Sequence, residues 1–221
     1  MESAQPEFAA PVRRKFIPIV VRSMAVINVL VFVAWNGNRE WLPFMFRNFL
    51  VSWVHLADGR FWVLLTSVFS HNQFLHLLVN SVVLISFGTA MEQLMGHFRF
   101  LRFYLIAGIM GSLGHVIGSY YIIGSADQFA LGASGALAGV LIVFSLMFPK
   151  QKILFFAVIP VPALVGALAF VAIDIWGLIA QAGGGGLPIG HGAHLGGALF
   201  GLVYYLVWGR KIRRQFKVFN A

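Results

Sequence analysis

One serine lies in the run Leu131-Gly-Ala-Ser-Gly-Ala-Leu-Ala-Gly139, where a polar loop (Gly124 to Gln128) gives way to an apolar stretch ending at Phe148. Gly135 follows Ser134, and Gly132 stands two residues before it. Small residues let other backbones come close. A helix N-terminus offers free N–H groups and a positive dipole end, both suited to a developing oxyanion. Ser134 therefore reads as a candidate nucleophile. The same pattern also describes a small-residue helix contact with a capping serine, so its partners must decide.

Two further polar groups supply such partners. The segment Gly190-His-Gly-Ala-His194-Leu-Gly-Gly-Ala-Leu-Phe-Gly201 brings two histidines to the start of an apolar run. His76 and Asn80 open another, and residues four apart share one helix face. A serine hydroxyl needs a base, and neutral imidazole is the usual one. A tetrahedral intermediate needs hydrogen-bond donors, which an asparagine amide and a histidine N–H can provide.

These residues need elements to hold them at one depth. Of the 221 residues, 59% are hydrophobic and 10% charged, against about 25% charged in a soluble domain. Several near-uncharged runs approach the roughly 20 residues that span a bilayer. The pattern predicts an all-α, polytopic membrane protein with six spans: Ile17–Trp35, Phe74–Met91, Phe98–Ile122, Ser134–Phe148, Ile153–Ile179 and Gly190–Trp208. Residues 1–16 read as a cytoplasmic tail, 17–209 as the six-span domain and 210–221 as a basic cytoplasmic tail. The connection from Asn36 to Asn72 is rich in aromatics and reads as a segment lying in the headgroup region.

Charge sets the orientation. Arg39, Arg47 and Arg60 fall on one face of the six-span arrangement, and the other 13 of the 16 Lys and Arg residues fall opposite. Both termini are therefore expected to be cytoplasmic, in a bacterial cell membrane. The net charge of +9 then marks topology and lipid contact, not a nucleic-acid surface. Cysteine is absent, which removes disulfides, thiolate metal sites and cysteine nucleophiles. No cofactor or metal is expected, since no His-Glu-x-x-His motif occurs. The fourth span is too short to cross, so its N-terminus must lie below the outer surface. A hydrated pocket open to the outside, with Ser134 at its floor, is expected there.

With these motifs in place the chain resembles the rhomboid intramembrane serine proteases. The matching residues are Gly132-x-Ser134-Gly135, Ala193-His194-x-x-Gly197-x-x-x-Gly201, His76-x-x-x-Asn80, Gly88-x-x-x-Glu92-x-x-x-Gly96 and Leu65-Thr66-Ser67-x-Phe69-x-His71. The resemblance implies a six-helix bundle and cleavage of transmembrane protein substrates within the lipid bilayer. It implies a catalytic Ser134–His194 dyad with no acidic third member. It also implies an oxyanion hole from the Ser134 N–H, His76 and Asn80, support from Gly132, Gly135, Gly197 and Gly201, and lateral substrate access near the second and fifth spans. Two positions depart from the family pattern. Trp62 is followed by Val63 where an arginine is common, with Arg60 as a substitute anchor. Ala138 stands where an aromatic usually packs on the catalytic imidazole, leaving the helix-packing Gly196, Gly197 and Gly201 to orient His194. Asp174, near the outer end of the fifth span, could serve as a third member. Glu92 is expected to cap or hydrogen-bond near the cytoplasmic end. An inactive client-binding relative is the runner-up. A small transporter is a third reading, without the repeat symmetry it would need.

Overall fold

The computed structural model describes residues 16–155 and 158–219. The expected tail 1–16 lies outside the described residues apart from its last one. The first helix, α1 (Ile19–Gly37), starts at Pro18, which provides no side-chain cap. Glu92 supplies it instead: its two carboxylate oxygens accept from Val20 N at 2.9 Å and Val21 N at 2.8 Å, and His97 Nδ1 lies 2.5 Å from Oε1. A buried carboxylate at a helix N-terminus satisfies orphan N–H groups and meets the positive dipole end.

The connection between the first and second spans forms three short helices, α2 (Leu42–Phe49), α3 (Trp53–Ala57) and α4 (Val63–Thr66). Asn48 holds this loop together, with Trp62 Nε1 donating to its side-chain oxygen at 3.1 Å and the Thr66 hydroxyl to its carbonyl. Arg60 instead pairs with Asp58 at 3.0 Å, so it does not take over the anchoring expected of it. The loop is also stitched to the segment before Ser134. Val51 and Ala130 exchange two 2.9 Å backbone bonds, and Gly132 N donates to Ser67 O at 2.9 Å.

The second span runs through α5 (Phe74–Val83), a π turn at Leu84–Gly88, and α6 (Thr89–Met95). Gly96 ends it with φ +77°, a backbone that glycine adopts without strain. The third span is α7 (His97–Ile117), extended by a π segment to Ile123. These two spans, α1 and the fifth are long and apolar enough to cross a membrane, while the fourth, α8 (Ser134–Met147), is shorter. Its 14 residues reach about 21 Å, short of the roughly 30 Å hydrocarbon core. It is accordingly wrapped by the other helices, with every residue from Gly135 to Val140 buried.

Two expected boundaries change. Residues from 153 were expected to start the fifth helix; instead β1 (Lys152–Phe155) and β2 (Ile159–Pro162) form an antiparallel hairpin, and α9 begins at Ala163 and ends at Ala182. Pro160 and Pro162 lack the N–H a helix interior needs and clash with its preceding turn, and the β-branched neighbours favour strand. The hairpin pair Ile153 and Val161 rests on Gly166 of α9. The sixth helix, α10 (His191–Phe219), runs on through most of the expected basic tail. Lys and Arg are good helix formers and suit a helix C-terminus.

Glycine seams set how closely α8 and α10 approach. A Cβ on Gly197 would lie 1.8 Å from the Gly135 carbonyl oxygen, and one on Gly201 2.6 Å from that of Gly139. The obstacle is backbone, so no rotamer change relieves it. Gly197→Ala is therefore expected to lower the unfolding midpoint, since overpacking costs about 1–3 kcal/mol even where side chains can shift. It should also reduce any turnover about a hundredfold, the cost of a roughly 1 Å misplacement. Gly118→Ala is the control, because its nearest neighbouring atoms lie at 3.6 Å. Thermal unfolding and turnover of the two variants in bilayers check this, and equal stability would overturn it.

Candidate active site

Ser134 is the first residue of α8, delivered by Gly132 at φ +123°. Its Oγ lies 2.9 Å from His194 Nε2. His194 sits in the first turn of α10, one turn after His191. Both histidines turn their Nδ1 atoms to one oxygen of Asp174 on α9: His191 Nδ1 is 2.6 Å and His194 Nδ1 2.9 Å from Oδ1. A carboxylate only accepts, so both Nδ1 atoms donate, leaving His194 Nε2 with its lone pair toward the Ser134 hydroxyl. This is the tautomer a general base requires. The structure thus adds to the serine and histidine a carboxylate that the resemblance left out.

The imidazole is also held on its face. The Phe170 ring lies 5.2 Å from that of His194, tilted by 33°. Phe170 packs with Ala138, Ala167 and Ala198. An aromatic from α9 therefore covers the imidazole where Ala138 on α8 cannot, and the orientation of His194 does not rest on glycine packing alone. Phe170 and Asp174 are four residues apart and so share a helix face.

The expected oxyanion donors lie beside the same turn. A Cβ on Gly132 would meet His76 Cε1 at 2.6 Å and Nε2 at 2.8 Å, so the His76 ring lies directly over that glycine. Asn80 is buried, and its Nδ2 donates to the His76 carbonyl at 3.0 Å. Its amide must turn from that bond to reach a substrate oxyanion. His71, fully buried in the loop ahead of α5, meets the His76 ring edge-on at 5.1 Å. Burial, and secondarily the neighbouring His76, push the His71 pKa down to about 4, against a weaker opposing effect of the Phe69 backbone. His71 is therefore neutral at ordinary pH. His115 Nε2 lies 2.9 Å from the Gln128 carbonyl, which ties α7 to the loop ahead of Ser134.

Ser134 is half-buried, and the His194 side chain is 13% exposed. A cavity of about 290 Å³ opens between the loop at Gln128 and the α9–α10 connection at Gln181 and Leu187. Ser134 is not on its wall, so the expected pocket with the serine at its floor is not this cavity. Asp174, His191 and His194 are also the set of metal-ligating side chains, among the described residues, whose donor atoms come within 4.8 Å of one another. Their 2.6 and 2.9 Å separations are those of direct hydrogen bonds.

Residues 58–211 match the Rhomboid domain family. The chain belongs to the rhomboid family. It is 35% identical over 204 residues to the mitochondrial Rhomboid protein 1 of Saccharomyces cerevisiae, covering 89% of this chain and 55% of that protein. It is 29% identical over 210 residues to the mitochondrial RHOMBOID-like protein 12 of Arabidopsis thaliana, covering 90% and 60%. Against the mitochondrial Presenilin-associated rhomboid-like protein A of Danio rerio it is 32% identical over 199 residues, covering 87% and 48%. This rhomboid thus spans about half the length of these relatives. Their mitochondrial names stand against the bacterial cell membrane expected from the sequence. The fold is a polytopic, helical rhomboid-like bundle, with the hairpin after α8 as its one paired-strand element among the described residues.

In this rhomboid the sequence reading missed Phe170 entirely. The available signal was its spacing of four from Asp174, an ionisable residue inside an apolar helix and so a functional candidate by default.

Proposed function

We propose that this rhomboid is an intramembrane serine endopeptidase that cleaves transmembrane or membrane-adjacent segments of membrane proteins. The observation that carries the reading is the 2.9 Å approach of Ser134 Oγ to His194 Nε2, with Nδ1 of the same ring committed to a carboxylate. Ser134 Oγ attacks the scissile carbonyl as His194 Nε2 takes its proton. The tetrahedral oxyanion is met by the Ser134 N–H, His76 and Asn80. His194 then gives the proton to the leaving amine, and the acyl-enzyme forms. Water, deprotonated by His194, releases the second product and restores the serine. The basic-rich side carries both termini. The alternative is a client-binding rhomboid without turnover. A serine-directed activity probe separates the two: the protease labels at Ser134, whereas an inactive binder does not.

The substrate follows from depth. A helical segment keeps its carbonyls hydrogen-bonded, so the scissile one must be freed before attack. Gly costs about 1 kcal/mol and Pro about 3 kcal/mol in a helix interior, and both ease unwinding. A Gly or Pro just inside the outer end of a substrate span should accelerate cleavage, and a Leu run there should slow it. Mass-spectrometric product maps from a matched Gly, Pro and Leu series in bilayers test this. Equal rates, or cleavage at the basic-rich side, would contradict it.

A further inference from the structure

The α9 face toward the base is built from three residues at helical spacing. Phe170 covers the imidazole, Asp174 holds Nδ1, and Gly177 makes room for the second histidine. A Cβ on Gly177 would lie 2.3 Å from His191 Nε2 and 2.4 Å from Cε1. Positions i, i+4 and i+7 form one stripe. His191 is thus wedged between Gly177 and the carboxylate, with Nδ1 2.6 Å from Asp174 Oδ1. Both Asp174 and His191 are almost wholly buried, 3% and 4% exposed. An ionised carboxylate inside an apolar helix is costly, and two N–H bonds to one oxygen offset part of that cost. The second oxygen, Oδ2, is buried without a hydrogen-bond partner.

We propose that Asp174, braced by His191, is the positioning residue that holds His194 as a base, so that the working unit is Ser134, His194, Asp174 and His191. This rests on the proteolytic reading of Ser134 and His194. When His194 Nε2 takes the serine proton, its Nδ1 proton stays in place and Asp174 stabilises the imidazolium without becoming protonated. His191 fixes which carboxylate oxygen points at His194. The other oxygen points at no donor, which gives an asparagine an unusual place here. Its carbonyl can keep both histidine N–H bonds while its amide occupies the orphan position. Asp174→Asn therefore preserves geometry and removes charge, whereas Asp174→Ala removes both.

The test compares wild type, Asp174→Asn, Asp174→Ala and His191→Ala with a single-span substrate in lipid nanodiscs, reading kcat and KM separately. Asp174→Ala should lower kcat by on the order of 10⁴-fold, the scale seen when the triad aspartate of a serine protease is knocked out, with KM within about threefold. Asp174→Asn should recover a large part of that loss. His191→Ala should cost about tenfold alone and nothing further when added to Asp174→Ala, as for residues acting through one another. Nitrogen-15 spectra of His194 supply a readout independent of turnover, taken in the Ser134→Ala protein. They should report protonated Nδ1 with Asp174 present and mixed tautomers with Asp174→Ala. Asp174→Ala within tenfold of wild type, an Asp174→Asn loss equal to that of Asp174→Ala, or an unchanged His194 tautomer would overturn the proposal. If wild type itself neither cleaves nor labels, the proteolytic reading fails, while the spectra still decide whether Asp174 positions His194.

Discussion

Ser134→Ala is expected to lower turnover by on the order of 10⁶-fold, the loss seen when a protease nucleophile is removed, and to leave the bundle folded. Ser134 is the first residue of α8, after the N-cap Ala133. Its hydroxyl bonds to His194 Nε2, so truncation removes one hydrogen bond and no packing. His194→Ala should cost as much in turnover but more in stability, because the ring also contacts Phe170 and Asp174. The double variant should be no slower than either single one, since a nucleophile without its base is already idle. Single-turnover cleavage of a model single-span substrate, with unfolding curves for each variant, separates the two effects. Ser134→Ala activity within tenfold of wild type would sink a serine mechanism.

The spans were legible because a membrane helix advertises itself by length and lack of charge. Ser134, His76, Asn80 and His194 stood out because polar groups in such helices need a reason to be there. Four things were not legible. The hairpin at Lys152–Pro162 lies inside an apolar run that hydropathy alone cannot divide, although Pro160 and Pro162 forbid a helix interior there. Asp174 was visible as a residue but not as a partner. Whether it faces His194 depends on the rotation of α9 about its axis, which packing sets through Ala163, Gly166, Ala167 and Gly177. Phe170 was not legible because it reaches His194 from α9, while the family pattern places the aromatic on α8 at Ala138. The imidazole needs a ring on its face, and the chain supplies one from another helix. Interhelical distances were likewise unreadable, because Gly197 against Gly135 is a contact between backbones.

His76→Ala should lower kcat by about 10³-fold and Asn80→Ala by about 10²-fold, both with small changes in KM. The scale is that of losing one oxyanion donor, and the order comes from geometry. His76 already lies over Gly132, two residues before Ser134, and neutral His71 stands edge-on to it. Its ring therefore needs little reorganisation, which is what makes a donor effective in the transition state. Asn80 begins in a bond to the His76 carbonyl and gives that bond up when it turns to substrate, so its net effect is smaller. Gly132→Ala extends the argument. The new methyl would press on the His76 ring at 2.6 Å, and a φ of +123° strains any side chain. It should reproduce much of the His76→Ala defect with His76 still present. Steady-state kinetics of the three variants give the answer. A rise in KM at constant kcat would make His76 and Asn80 substrate-holding residues. A larger loss in Asn80→Ala than in His76→Ala would reverse the order of preorganisation argued from the His76 carbonyl bond.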